Sequence, residues 1–351
     1  MRLNHFDYFR AIAILIIVAG HNIYNVFDVD TTAEKLLVTI VQGGTALFVF
    51  ISGFFFYHVF YPKFDYFKFM RKKILNVLMP YITMTSIAMA TYMMLHARLD
   101  TYVPSVIAKT NGWYDLSKIY LSHLLFGTIT APYWYIPFIM IMFALSPLFI
   151  RYIKLDLLAR FGVNVAFLLL SMVIFRPSTA ETPFHSVLYY TSVYLLGINY
   201  SMHQDECERI INGKAWLFGM LVILIAIVQV EYLDVVGVYE KSSVFSYQGI
   251  NIMIIQKICM CLLLLSILQK YQYRNIQPLK QIAAASFSIY FLHEFVKEFI
   301  LKIGFISWMH NINPVFIWIL LVFLVVLISY CLAYIIKKIF KSKSQWIVGW
   351  G

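Results

Sequence analysis

The stretch DYFRAIAILIIVAGH, residues 7–21, decides what kind of protein this is. It is an apolar helix-forming run that nevertheless carries a guanidinium, Arg10, and an imidazole, His21, and inside a bilayer such groups are expensive enough to demand a reason. Eleven steps at 100° make three turns plus about 20°, so both side chains leave one stripe of a helix, roughly 16 Å apart along its axis. Asp7 lies on the same stripe, one turn before Arg10.

The rest of the chain continues this pattern. With 61% hydrophobic and 13% charged residues and a mean hydropathy of +0.76, it cannot hide its apolar side chains in one soluble core. Apolar runs of bilayer-spanning length fall at 7–27, 36–60, 74–97, 133–153, 160–175, 184–201, 215–231, 248–268, 281–301 and 314–336. They predict an all-α, polytopic membrane bundle of about ten transmembrane helices, forming one domain over 1–351 with no appended soluble domain. Their continuous apolarity excludes a barrel, whose strands would alternate. The first run is too long for a cleaved signal peptide and lacks a small-residue cleavage site.

Lysine and arginine set the orientation. Eighteen fall on one side: Arg2, then Lys63, Lys68, Arg71, Lys72 and Lys73, then Arg151, Lys154 and Arg160, then Arg209 and Lys214, then Lys270, Arg274 and Lys280, then Lys337, Lys338, Lys341 and Lys343. The other side holds seven, namely Lys35, Arg98, Lys109, Lys118, Arg176, Lys241 and Lys302. Both termini are therefore expected in the cytoplasm. The net charge of +11 follows from this topology, and no groove-binding module supports a nucleic-acid partner. Cys207, Cys259, Cys261 and Cys331 form no external pair, and the histidines lack zinc spacing, so neither a disulfide nor a metal is expected.

Several further stretches stand in order along the chain: FVFISG at 48–53, Pro80-Tyr81 after a basic run, Trp134-Tyr135-Ile136 with Leu145-Ser146-Pro147, and SFSIYFLH at 286–293. Together with Arg10, ten intervening residues and His21, they resemble the acyltransferase 3 family of membrane O-acyltransferases over essentially the full length. One departure is visible. Where the family shows an Arg-x-x-Arg pair before the third span, this chain has Lys73 and Asn76. Some members also append an extracytoplasmic hydrolase-like domain with its own serine and histidine, which is not expected here.

The resemblance implies transfer of an acyl group, most often acetyl from acetyl-CoA, to a hydroxyl of a cell-surface or lipid-linked carbohydrate, in a bacterial inner membrane. Expected partners are acyl-CoA, the carbohydrate acceptor, the bilayer and a second copy in a homo-oligomer. The residues fit that chemistry. A sugar hydroxyl is a poor nucleophile, so a neutral imidazole must take its proton as it attacks the thioester carbonyl, and low-dielectric surroundings disfavour the imidazolium. His21 is the candidate base; its alternative is a packing histidine bonded across a helix interface. Arg10 is the candidate grip on donor phosphate or a pantetheine carbonyl, or else it is simply neutralised by Asp7.

Lys72 and Lys73 are donor-phosphate candidates or topology signals, and Ser52 either bonds the reacting groups or, with Gly53, lets helices approach. Ser286, Tyr290, His293 and Lys297 form one polar stripe, lining the chamber or tied into a packing network with Glu294 and Glu298. Tyr290 and His293 are candidates to orient the acceptor or donate to the oxyanion. Trp134 and Tyr135 can stack on sugar or serve as interfacial belt residues. Gln248, Asn251, Gln256 and Lys257 predict an eighth span that faces protein, and the loop from Arg98 to Pro132 is the longest external segment. No G-x-S-x-G nucleophile appears, which favours direct transfer. A transporter or flippase of glycan intermediates is the competing reading, although no pair of matching broken halves supports it.

Overall fold

A computed structural model describes residues 4–94, 113–177, 183–241, 243, 246–309 and 311–350. Arg2, Arg98, Lys109 and the first part of the long external segment lie outside the described residues. The helices are α1 (Asn4–Asn22), α2 (Thr32–Val41), α3 (Thr45–Phe55), α4 (Tyr66–Lys73), α5 (Met79–Met94), α6 (Trp113–Phe126), α7 (Tyr135–Ala144), α8 (Ser146–Ile153), α9 (Leu157–Ile174), α10 (Pro183–Met202), α11 (Gln204–Ile211), α12 (Ala215–Ile227), α13 (Met253–Leu268), α14 (Gln277–Lys302), α15 (Phe305–Trp308), α16 (Pro314–Phe340) and α17 (Ser344–Val348). The sole strand pairing among the described residues is a parallel match of Arg176 with Glu240 and Pro177 with Lys241.

Seven helical stretches are long and apolar enough to cross a membrane, and eight if the bent pair Tyr135–Ala144 and Ser146–Ile153 is one span. That pair turns by 54° at Leu145-Ser146-Pro147, where proline cannot supply the N–H that a continuous helix needs. The sequence suggested ten spans. The two not reaching the apolar threshold coincide with α10 and α14, whose 20 and 26 residues span about 30 and 39 Å at 1.5 Å each. They fall short in hydropathy because they carry polar side chains, including Ser186, Thr191 and Ser192 on one and Ser286, His293, Glu294 and Lys297 on the other, all buried in protein.

The predicted eighth span starts later than expected. Gln248 and Asn251 precede α13, where the Asn251 carboxamide oxygen accepts from the Met253 N–H at 2.9 Å. Gln256 and Lys257 do face protein, being 0% and 2% exposed. The Lys257 ammonium donates to the carbonyls of Thr39 at 3.1 Å and Ile40 at 2.8 Å, satisfying last-turn acceptors of α2 and meeting the negative end of its dipole. At the other end of α2, Thr31 and Glu34 form a capping box, with the Glu34 carboxylate accepting from the Thr31 N–H at 3.0 Å.

The core divides in two. One cluster gathers Phe6, Phe9 and Ala13 of α1 with residues of α3, α7, α8, α10 and α13. The other gathers Ile14 and Val18 of α1 with α5, α14, α16 and the C-terminal Val348 and Trp350. Helix α1 belongs to both, packing on α14, α16, α13 and α3, while Phe48, Val77, Tyr135 and Met140 pack against both clusters. A seam between two cores is where a bundle can leave room for a ligand.

Contact between α3 and α10 is closest at two glycines. A Cβ on Gly53 would lie 2.0 Å from the Tyr194 carbonyl oxygen, and one on Gly197 would lie 2.2 Å from that of Phe50. The Ser-Gly pair thus separates its duties, Gly53 allowing the backbones to meet. We expect Gly53→Ala and Gly197→Ala each to lower stability by about 1–3 kcal/mol through overpacking against rigid backbone, measured by denaturant unfolding in detergent. Gly162→Ala, where no atom lies within 4 Å, is the control and should leave the midpoint in place.

Candidate active site

Along the seam lie three neighbouring cavities. The first and smallest of them is lined by His21, Thr45, Phe48, Pro132, Trp134, Tyr135, Ser286, Phe287 and Tyr290 with Ile17. The second includes Arg10, Ser52, Phe60, Phe69, Lys73 and Val77 in its wall and shares Phe48, Tyr135, Ser286 and Phe287 with the first. The third is lined by Lys63, Asp65, Lys68, Arg71 and Lys72 and shares Phe60 and Phe69 with the second. The stripe of α1 thus faces successive chambers, with Arg10 and His21 on opposite sides of a waist formed by Phe48, Tyr135, Ser286 and Phe287.

Local structure widens the middle chamber. Two π-helical turns, Phe56–Phe60 and Ile74–Leu78, contribute Phe56, Phe60 and Val77 to its wall, the kind of extra residue per turn that re-aims side chains at functional positions. Lys73 sits in an aromatic cage: its ammonium lies 4.4, 5.2 and 4.2 Å from the ring centres of Phe60, Phe69 and Phe143, held by cation–π attraction.

 It makes no ion pair with a carboxylate among the described residues. Lys72, the next residue back, points into the outer basic chamber instead, so the two lysines that the sequence set side by side serve different cavities. Arg10 lies 3.4 Å from Asp7, as the i,i+3 spacing predicted, and also lines the middle chamber.

Ser52 and Tyr135 both stand in the wall of the same chamber. Tyr290 donates to the Pro132 carbonyl, and Tyr133 donates to that of Phe291 at 3.0 Å, which ties α14 to the start of α7. These two bonds fix the wall on which Trp134 and Tyr135 stand. Trp134 is not a bare sugar platform: the Arg176 guanidinium carbon lies 4.6 Å over its ring, and Tyr190 stacks on it at 6.1 Å.

His21 is met by groups from α14. Its ring centre is 5.4 Å from that of His293, and ligating atoms of His21, His293 and Glu294 all lie within 4.8 Å of one another. The His293 Nδ1 faces the carbonyl oxygens of Tyr290 at 2.8 Å and Ile289 at 3.1 Å. A ring nitrogen between two acceptors carries the proton, so in the neutral ring Nε2 is the acceptor and it is turned toward the cluster. Glu294 is ion-paired with Lys297, which also lies 3.7 Å from Glu298. The cation beside this carboxylate is therefore Lys297. Charges of Glu294, Lys297 and Arg176 all act on His21.

The paired segments around 176 and 240 reach Trp134, a wall residue of the His21 cavity. Phe175 adopts φ 62°, a conformation that costs a bulky residue on the order of 1–3 kcal/mol, and its buried ring packs 4.5 Å from that of Tyr239. The next residue, Arg176, lies 3.5 Å from Glu240. Lys241 donates to the Val173 carbonyl at 3.0 Å. Partial burial pushes the Glu240 carboxyl up from its ordinary value, outweighing the pull of Arg176.

A sequence profile described as an acyltransferase domain matches residues 3–334, nearly the whole chain. The protein belongs to the acyltransferase 3 family. Neither curated proteins nor solved structures gave a match. For a membrane acyltransferase the arrangement offers an imidazole, a second ring beside it, and an adjoining cavity whose wall carries Arg10 and Lys73. Sequence reading put Lys297 on the polar stripe but had Glu294 only as a network partner and Arg176 only as a loop charge. A buried carboxylate next to a histidine on an apolar helix was the available signal for Glu294; nothing local announced Arg176. His123, which falls between Arg98 and Pro132, lies outside the cluster, its Nδ1 2.8 Å from Thr128 Oγ1, and burial lowers its pKa to about 4.

Thiol labelling tests the passage. In a variant without the four native cysteines, Ser52→Cys and Ser286→Cys should react with a small neutral thiol reagent in the folded protein. Ser171→Cys, buried where Ser171 bonds the Tyr189 carbonyl at 2.7 Å, should react only after unfolding. Equal rates at all three positions would contradict the cavity system.

Proposed function

We propose that this acyltransferase moves an acyl group, acetyl in the first instance, from cytoplasmic acyl-CoA to a hydroxyl of a cell-surface or lipid-linked carbohydrate. The observation that carries the reading is the row of abutting cavities that joins a basic outer chamber to His21. In this reading ten helices cross a bacterial inner membrane with both termini in the cytoplasm, which the surplus of basic residues beside the Lys63–Lys73 region supports. The anionic nucleotide of CoA rests on Lys63, Lys68, Arg71 and Lys72, and the pantetheine arm runs past Lys73, Arg10 and Ser52. Lys73 stands in the cationic position that the family fills with arginine, and its cage of phenylalanines holds it facing the arm.

The thioester then lies beside His21. The imidazole removes the acceptor hydroxyl proton as the oxygen attacks the carbonyl carbon, giving a tetrahedral intermediate. Its collapse breaks the carbon–sulfur bond; the CoA sulfur leaves and takes the proton back from the imidazolium. The products are the carbohydrate ester and free CoA, with His21 regenerated. His293 turns its Nε2 lone pair toward the His21 ring, within 4.8 Å, and so favours the tautomer whose free nitrogen faces substrate, while Glu294 stabilises the imidazolium that forms in between. Tyr290 and Tyr135 shape the acceptor side. Transfer is direct, with no acyl-enzyme.

His21→Ala should lower kcat by about 10²–10⁴-fold with CoA affinity preserved, and NMR of surface glycans from cells carrying it should lack the ester acyl signals present with wild type. Unchanged acyl content would sink the assignment. Lys73→Met should act differently, raising KM for acyl-CoA more than it lowers kcat, because its ammonium contacts donor in ground and transition states alike.

A further inference from the structure

We propose that Arg176 is a specificity-determining residue that binds an anionic oxygen group, phosphate ester or carboxylate, on the carbohydrate acceptor. This rests on the acyl-transfer reading above and adds to it the chemical class of acceptor. Three features converge on that guanidinium. It lies 4.6 Å over Trp134, a wall residue of the His21 cavity and not of the chamber containing Arg10 and Lys73. Its backbone is pinned by the parallel pairing with Glu240 and by the positive φ of the buried Phe175 just before it. And its carboxylate partner, Glu240, meets it through one contact at 3.5 Å, not the forked pair that makes such a bond strong.

A guanidinium presents five donors in one plane. Stacking on Trp134 uses the face of that plane and Glu240 engages one edge, so among the described residues donors remain for a second anion. Were Arg176 there for stability alone, a short bidentate pair would be the expected geometry. Instead the pair is long, and the Glu240 carboxyl is disfavoured by its surroundings more than it is favoured by Arg176. Glu240 thus holds the place of the acceptor's anion and gives it up on binding. The position is on the far side of the waist from the basic chamber of Lys63, Lys68, Arg71 and Lys72, which separates acceptor charge from donor charge by the length of the cavity system. A neutral sugar would gain nothing from Arg176; an acidic sugar or a lipid-linked sugar phosphate would be oriented with its hydroxyl toward His21.

The test measures binding of three probes to the full chain in phosphatidylcholine nanodiscs: dodecyl phosphate, dodecyl β-glucuronide and the neutral dodecyl β-glucoside. CoA affinity is measured alongside. Wild type should bind at least one anionic probe more tightly than the glucoside, and Arg176→Gln should weaken that binding by about 10- to 100-fold, as expected for lost hydrogen bonds to a charged group, with glucoside and CoA affinities unchanged. Glu240→Gln, which removes the competitor, should tighten the anionic probe by about two- to fivefold. A gain for dodecyl phosphate alone identifies a lipid-phosphate source, a gain for the glucuronide alone an acidic sugar, and a gain for both the shared chemistry. Equal affinity of wild type and Arg176→Gln for both anionic probes, or weaker binding in Glu240→Gln, overturns the inference. Absent CoA binding in wild type would instead defeat the acyl-transfer reading.

Discussion

A helix that carries Asp7, Arg10 and His21 through apolar surroundings has to be enclosed by other helices and given somewhere polar to point. Both conditions are met in one way. Helix α1 is surrounded by α3, α13, α14 and α16, and its charged stripe faces the seam where the two hydrophobic clusters meet. Each cluster is close-packed, so the space that remains is confined to the boundary between them, and there the polar side chains collect. The cavities, the π-helical turns and the inward polar faces of α10 and α14 are consequences of that arrangement.

Helix α14 supplies the complement. Its stripe of Ser286, Tyr290, His293 and Lys297 runs antiparallel in role to that of α1: Ser286 at the waist, Tyr290 anchoring the aromatic wall, His293 against His21. The expected choice between chamber lining and packing network does not arise, because one set of contacts does both. Tyr290 lines the cavity while bonding Pro132, and His293 bonds its own helix through Nδ1 and offers Nε2 to the cluster. Glu294 and Lys297 neutralise each other beside it. A balanced pair of charges held there keeps the local field available to an imidazole that changes charge, without leaving an unpaired ion in apolar surroundings.

Trp318 extends the same economy to the end of α1. Its indole N–H donates to the Ala19 carbonyl at 3.0 Å and its ring packs on Phe27. The carbonyl it satisfies lies two residues before His21, in the last turn, where helix acceptors have no intrahelical donor. Support from α16 therefore steadies the turn from which the imidazole projects. Lys257 does the corresponding work for α2, its ammonium closing the carbonyls of Thr39 and Ile40.

Sequence alone determined that the chain is a helical membrane protein, that Asp7, Arg10 and His21 share a stripe, and which family it joins, because hydropathy and the 3.6-residue period are local properties of a run of residues. It also marked α10 and α14 as long helices, although their buried polar residues keep them below an apolar threshold that is set for lipid-facing surfaces. Tertiary structure alone decided which stripes meet. The approach of His293 and Glu294 to His21 joins positions more than 270 apart, the division of Lys72 from Lys73 between two chambers depends on how α4 packs against α7, and the placement of Arg176 over Trp134 depends on a two-residue pairing with a distant loop. No periodicity encodes such contacts, since they are fixed by how whole helices pack and not by the residues that flank them.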